Sequence, residues 1–223
     1  MLKTVRINII IVFCITIFNQ ILSAQSPTTV KDIDGFEYKI VRLGTQTWMA
    51  QNLNVTRFRN GDPIMEAATV EEWKKAYDDK TPAWCYYQNE PENGSTYGKL
   101  YNWYAVTDPR GLAPEKWRVP NLEEWNRMIM FLGKNDRAGD LLKDVTGWKG
   151  RGSGNNKSGF KALPGGNRSL TGTFQSMRAW GYWWSSQEHA SETAIGFDLG
   201  YSRKKINRFA FIKGHGFSVR CVR

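Results

Sequence analysis

Nine consecutive residues constrain this chain more than any other stretch: Trp117-Arg118-Val119-Pro120-Asn121-Leu122-Glu123-Glu124-Trp125. Pro120 keeps Val119 out of the helical region, so the chain arrives extended. The Asn121 side chain can accept from a free N–H of a first helical turn. Glu124 can accept from the N–H of Asn121, which makes a capping box with Asn in the cap position. Leu122, Trp125, Ile129 and Leu132 follow at helical spacing, and Gly133 supplies the stop. An extended segment thus turns abruptly into a short amphipathic helix, with a Trp on either side of the corner.

The beginning of the chain reads as a separate unit. Lys3 and Arg6 form a positive start, residues 9–18 are almost wholly apolar, and Leu22-Ser23-Ala24 precedes Gln25. That is the pattern of a secretory signal peptide over residues 1–24, with an uncleaved anchor as the alternative. Residues 25–30 read as a polar linker and 31–223 as one domain with room for a sizeable core. No other long apolar run follows, so no transmembrane segment is expected in the mature chain. Export to the periplasm, the outer cell surface or the medium is expected, and it argues against nucleic acid as a partner. It leaves two cysteines, Cys85 and Cys221, beyond Cys14 of the apolar run. An even number in an exported chain predicts one disulfide between them, with two buried free thiols as the alternative.

Net charge is +10, and it is unevenly placed. From Lys143 to the end, 14 Lys and Arg stand against four acids, a net of +10. Lys3 and Arg6 carry +2, so residues 25–142 are at −2. An anionic partner would therefore dock on the C-terminal part: an acidic glycan, lipopolysaccharide or an acidic surface protein. The bland alternative is a solvated basic face without a specific ligand.

Along the chain, Phe36, Tyr38 and Ile40 alternate with polar neighbours, Leu43-Gly44-Thr45 turns, and residues 46–53 continue as a second strand of a hairpin. Thr69-Val70-Glu71-Glu72 is a second capping box, predicting a short helix through Trp73 and Ala76. Residues 88–95 read as a polar loop, 135–144 as a weaker helix and 147–159 as a mobile Gly-rich loop. Residues 194–199, 206–212 and 217–222 read as closing strands.

Several of these stretches resemble one family. Trp-Arg-Val-Pro-x-x-x-Glu-Trp at 117–125 resembles the GW(H/R)xPTxxEW stretch of the Fibrobacter succinogenes major paralogous domain family. Tyr97 to Val106 resembles its YGxLYNWYAV, residues 160–166 its GFxALPGG, Trp183-Trp184-Ser185-Ser186 its WWSS, and 216–221 its closing SVRC. The corner at 117–125 is also similar to formylglycine-generating-enzyme-like proteins. The resemblance implies α+β architecture: a single C-type-lectin-like domain, with two or three short helices on a small twisted antiparallel sheet with long loops. Ala113 and Lys116 replace the Cys and Gly that many members carry before the helix, so a bridge, if formed, must use Cys85.

The chemistry of an enzyme is harder to find. Only Cys221 lies near the C-terminal end, without the neighbouring cysteine that formylglycine generation requires. His189 and His215 have no metal-binding spacing, and neither a Gly-x-Ser-x-Gly elbow nor a P-loop is present. No cofactor is expected. Aromatics are the positive signal: 10 Trp, 9 Tyr and 11 Phe. Trp183 and Trp184 are expected mainly as core, although neighbouring rings on a strand point to opposite faces, which leaves room for one to be presented. With them, Tyr201, Arg203, Lys204, Lys205 and Arg208 form the candidate ligand surface. The expectation is an exported, non-enzymatic binding or adhesion module. An enzyme of unknown type acting on envelope polysaccharide is the alternative.

Overall fold

The computed structural model describes residues 28–133 and 135–223. The signal peptide expected over 1–24 lies outside them. In chain order the strands begin with β1 (Thr29–Lys31), β2 (Glu37–Leu43), β3 (Gln46–Met49) and β4 (Met65–Glu66). Helix α1 (Val70–Asp78), β5 (Ala83–Cys85), a 3-10 turn at Tyr87–Asn89, α2 (Pro91–Tyr97), β6 (Leu100–Tyr101) and α3 (Trp103–Thr107) follow. Then come α4 (Leu122–Phe131), α5 (Asn135–Leu142), β7 (Asn167–Arg168), β8 (Phe174–Gln175), β9 (Trp180–Ala190), β10 (Thr193–Gly200) and β11 (Asn207–Ile212). The fold is α+β. Three three-stranded sheets, ordered β1-β2-β3, β4-β5-β6 and β11-β10-β9, and a β7-β8 pair are antiparallel except where β4 meets β5.

Local chemistry starts the helices where the caps stand. The Glu124 N–H donates to Asn121 Oδ1 at 2.9 Å, and the Asn121 N–H donates to Glu124 Oε2 at 3.0 Å. Thr69 and Glu72 do the same for α1. Glu124 also accepts from the Arg118 guanidinium, which ties the extended entry to the helix it precedes. Five helices form among the described residues, more than the two or three expected. The added ones are short. α2 occupies the expected polar loop because Pro91, at its start, is held near helical φ and loses no intrahelical bond there. α3 is capped by the Asn102 side chain.

Other expectations change for tertiary reasons. The linker ends earlier than residue 30, because Thr29 and Val30 pair with Lys39 and Tyr38, and Val30 packs on the core. The loop at 147–159 is pinned: the N–H groups of Gly154 and Asn155 donate to the carbonyls of Asp144 and Asp140. Residues 217–222 form no ladder. They run as a thread that makes single bridges to Tyr101, Trp183, Arg118 and Trp48 and accepts from the N–H groups of Leu53 and Met49. Its main-chain groups find partners on several elements instead of one strand.

Strand β9 separates two aromatic cores. Trp184 enters one with Tyr38, Tyr101 and Phe217, and Trp183 enters the other with Trp48, Trp125, Phe160 and Phe197. Their exposures are 0% and 1%. The indole N–H of Trp183 donates to Asn52 Oδ1 at 2.9 Å and that of Trp184 to the Tyr101 carbonyl at 2.8 Å. Neighbouring rings do point to opposite faces, but both faces are covered, so neither ring is presented. The disulfide is likewise absent. Cys85 and Cys221 are free and buried, Cys85 beside Trp73 and Leu100 and Cys221 in the larger cluster with Tyr38 and Trp184. β5 holds one thiol in its own small core, and the bond from the Met49 N–H to the Cys221 carbonyl anchors the other by β3. Burial raises both thiol pKa values, that of Cys85 to about 12.

Candidate functional site: the basic turn and the groove beside β11

Sorting the cations by burial separates structure from surface. Arg168, Arg220, Lys143 and Lys213 of the basic C-terminal part are buried, as is Lys99. All five donate to main-chain carbonyls and lie over aromatic rings. Arg220 donates to Met49 O, Phe160 O, Lys161 O and Asn52 Oδ1, with its guanidinium 4.3 Å from the Phe160 ring centroid. Arg168 gathers the carbonyls of Ala67, Ala68, Thr69 and Gly172 between the Trp73 and Phe174 rings. Lys99 sits 4.6 Å from both the Trp84 and Tyr86 centroids and donates to Asn54, and burial lowers its pKa to about 8. Among the described residues, Lys213 is the only one of the five with a carboxylate within salt-bridge distance, Glu188 at 2.5 Å. The others exchange water for carbonyl oxygens and ring faces.

The turn between β10 and β11 carries cations of the other kind. Its backbone is clamped from below. Lys143 Nζ donates to the carbonyls of Tyr201 and Arg203 at 3.1 and 2.6 Å, and the Gly139 N–H donates to Lys204 O. A side chain at Gly139 would not fit, since its Cβ would lie 2.3 Å from that oxygen. The side chains of Tyr201, Arg203, Lys204 and Lys205 are left exposed. Arg203 lies 5.0 Å from the centroid of the Trp180 ring, Lys149 lies 5.9 Å from that of Tyr201, and Lys204 stands 3.6 Å from Asp140. The Trp that accompanies this turn is therefore the half-buried Trp180, not Trp183 or Trp184.

Lys205 and Arg208 meet elsewhere, in a groove between β11 and α4. One cleft of about 410 Å³ is lined by Lys205, Arg208, Phe209 and Asn126 over a floor of Ile129 and Phe197. A second, of about 510 Å³, continues past Arg208 to Leu122, Ile195, Ala210 and His189. Phe209, 51% exposed, lines both and was missed from sequence. The alternation at 207–212 sets the rings of Phe209 and Phe211, 6.1 Å apart, on the face opposite Arg208. Another cleft, of about 370 Å³, mixes Lys31, Arg57 and Arg59 with Asp32 and Glu115. Arg57 there is 3.7 Å from Asp34, and Arg59 is committed to the carbonyls of Ala113 and Trp117. Among the described residues no cluster of His, Cys, Asp and Glu could hold a metal ion, and no helix is long and apolar enough to cross a membrane.

Residues 41–223 match the family model of the Fibrobacter succinogenes major domain. The chain belongs to this family. No curated protein matches it. The stretches by which a Fibrobacter succinogenes major domain is recognisable here are interior: Trp117, Trp125, Tyr101, Trp103, Trp183 and Trp184 are all buried. They describe a scaffold. The exposed turn at 201–205 lies outside those stretches but within the matched residues.

Proposed function

We propose that this Fibrobacter succinogenes major domain is an exported, non-enzymatic binding module of the cell envelope. Its ligand is an acidic glycan or another anionic surface polymer such as lipopolysaccharide. The observation that carries this reading is the groove in which Lys205 and Arg208 stand beside the Asn126 amide over Ile129 and Phe197. Exposed cations, an apolar floor and an amide together suit a sugar bearing acidic groups. Arg203 and Lys204 on the adjoining turn extend the positive surface. A C-type-lectin-like arrangement is consistent with the C-terminal residues returning to β3 beside the N-terminal hairpin, and with the long loops between short elements.

A glycan array that includes lipopolysaccharide, probed with the chain from Gln25 onward, tests the reading. Binding should be confined to acidic ligands and weaken steeply between low and physiological salt. Replacing Arg203, Lys204 and Lys205 together by Ala should remove most of it. Equal binding by the triple variant, or no anionic ligand at any ionic strength, would overturn the reading.

A further inference from the structure

We infer that the free edge of β11 is a docking site for an extended, acidic segment of a partner protein, which adds as a fourth strand to the β11-β10-β9 sheet. β11 is the outermost strand of that sheet. The Lys213 N–H donates to the Glu192 carbonyl, which continues the β10–β11 ladder and sets its phase. Asn207, Phe209 and Phe211 therefore turn their main-chain groups toward β10, and Arg208, Ala210 and Ile212 turn theirs outward. Among the described residues only Ile212 finds an outward main-chain partner, its carbonyl accepting from the His215 N–H. The ladder to β10 is in register over six pairs, with no bulge and no proline to blunt the edge.

The side chains around that edge suit an alternating strand. The two clefts between β11 and α4 lie on either side of Arg208, with Leu122 and Ile195 behind one and Ile129 and Phe197 behind the other. An incoming strand would place alternate residues toward them, apolar ones into the clefts and a carboxylate against Arg208. Charge selects the occupant. Lys205 and Arg208 are exposed beside the edge, Glu188 of the second cleft is paired with Lys213, and residues 25–223 are net positive, so a second copy is repelled and an acidic strand is attracted. This site shares Lys205 and Arg208 with the proposed glycan surface but uses main-chain hydrogen bonds, which a glycan does not need.

The edge makes a selective variant available. Proline at position 210 removes an N–H that takes no part in the β10 ladder, and proline is tolerated on edge strands in that orientation. The probe is a short synthetic peptide of alternating Val and Glu, with a Val and Lys peptide as control. The Glu peptide should bind the whole protein, and Ala210→Pro should weaken it about tenfold or more without loss of fold. Arg208→Glu should shift preference toward the Lys peptide by about tenfold. In the unaltered protein, saturation with the Glu peptide should slow exchange of the Arg208 and Ala210 amides at least about tenfold, a readout independent of whether the proline variant folds. The double variant Arg203→Ala with Lys204→Ala, which leaves Lys205 and Arg208 in place, should retain peptide binding while weakening the polyanion, so the two readings fail separately. No binding of the Glu peptide, unchanged amide exchange, or concentration-dependent dimers that Ala210→Pro dissolves would each overturn the inference. The last result would assign the edge to a second copy.

Discussion

Two populations of cations in the same basic half of the chain behave oppositely. Arg168, Arg220, Lys143 and Lys213 are buried, each against an aromatic ring and carbonyl oxygens from distant segments. Arg203, Lys204, Lys205 and Arg208 are exposed on one turn and the strand it enters. Residue type and net charge are the same in both groups. What differs is the supply of acceptors. Arg220 draws on Asn52, Met49, Phe160 and Lys161, which come from two remote parts of the chain. The exposed group has solvent and, for Lys204, one carboxylate. The basic surplus at the C-terminal end therefore overstates the positive surface, because part of it works as internal bracing. The two groups also touch: Lys143 from the first holds the carbonyls of Tyr201 and Arg203 and so shapes the turn that displays the second.

The largest effect that would sharpen this contrast is expected at Arg220. Replacement by Met leaves its carbonyl acceptors unpaired around a dry site, and should cost about 3 kcal/mol or more of stability in denaturant unfolding. Lysine should not rescue it, because one ammonium cannot replace the guanidinium fork. An Arg220→Met variant with unaltered stability would dissolve the distinction between the groups. Next comes Lys143→Met, expected to cost roughly 1–2 kcal/mol and to expose the 201–204 turn to protease. The Met side chain keeps contact with Trp148 but cannot donate to the two carbonyls.

The cysteines test the same interior in another way. Both thiols are held above their ordinary pKa by burial, that of Cys85 at about 12. Above the ordinary thiol value the unfolded chain loses protons that the folded chain keeps. The contribution to stability is therefore full below about pH 9 and should be lost as pH climbs toward about 12. Cys85→Ala should flatten part of that decline. Without any reductant, both thiols should react with a maleimide in denaturant and neither in the native protein, whereas a bridge would leave both silent in either state. The smallest stability effect belongs to the exposed group. The Arg203, Lys204 and Lys205 triple replacement should change unfolding by about 0.5 kcal/mol or less per site, while removing anionic ligand binding.

Much of the fold was legible locally. The caps at Thr69 and Asn121, the turn at Gly44, and the alternation in β2, β10 and β11 depend on dihedral preferences and hydrogen bonds that span only a few residues. Of the candidate site, sequence identified Lys205 and Arg208 but not Phe209 or Asn126, because the groove exists only where α4 packs beside β11. Trp183 and Trp184 were correctly separated to opposite faces, yet nothing local announces that both faces are covered. The pairing of Cys85 with Cys221 failed for a related reason, since cysteine count says nothing about which core each strand enters.

By itself, then, the sequence determined the family, the capped starts of α1 and α4, the alternating strands β2, β10 and β11, and the aromatic wealth of the interior. Tertiary structure alone decided which cations became bracing and which stayed in water, how residues 217–222 divide their bonds among several elements, and which strand was left with an open edge. The reason is one of range. A cap or an alternating strand is satisfied by its neighbours in sequence, whereas a buried charge is stable only where chain segments far apart in sequence converge to supply oxygens and ring faces.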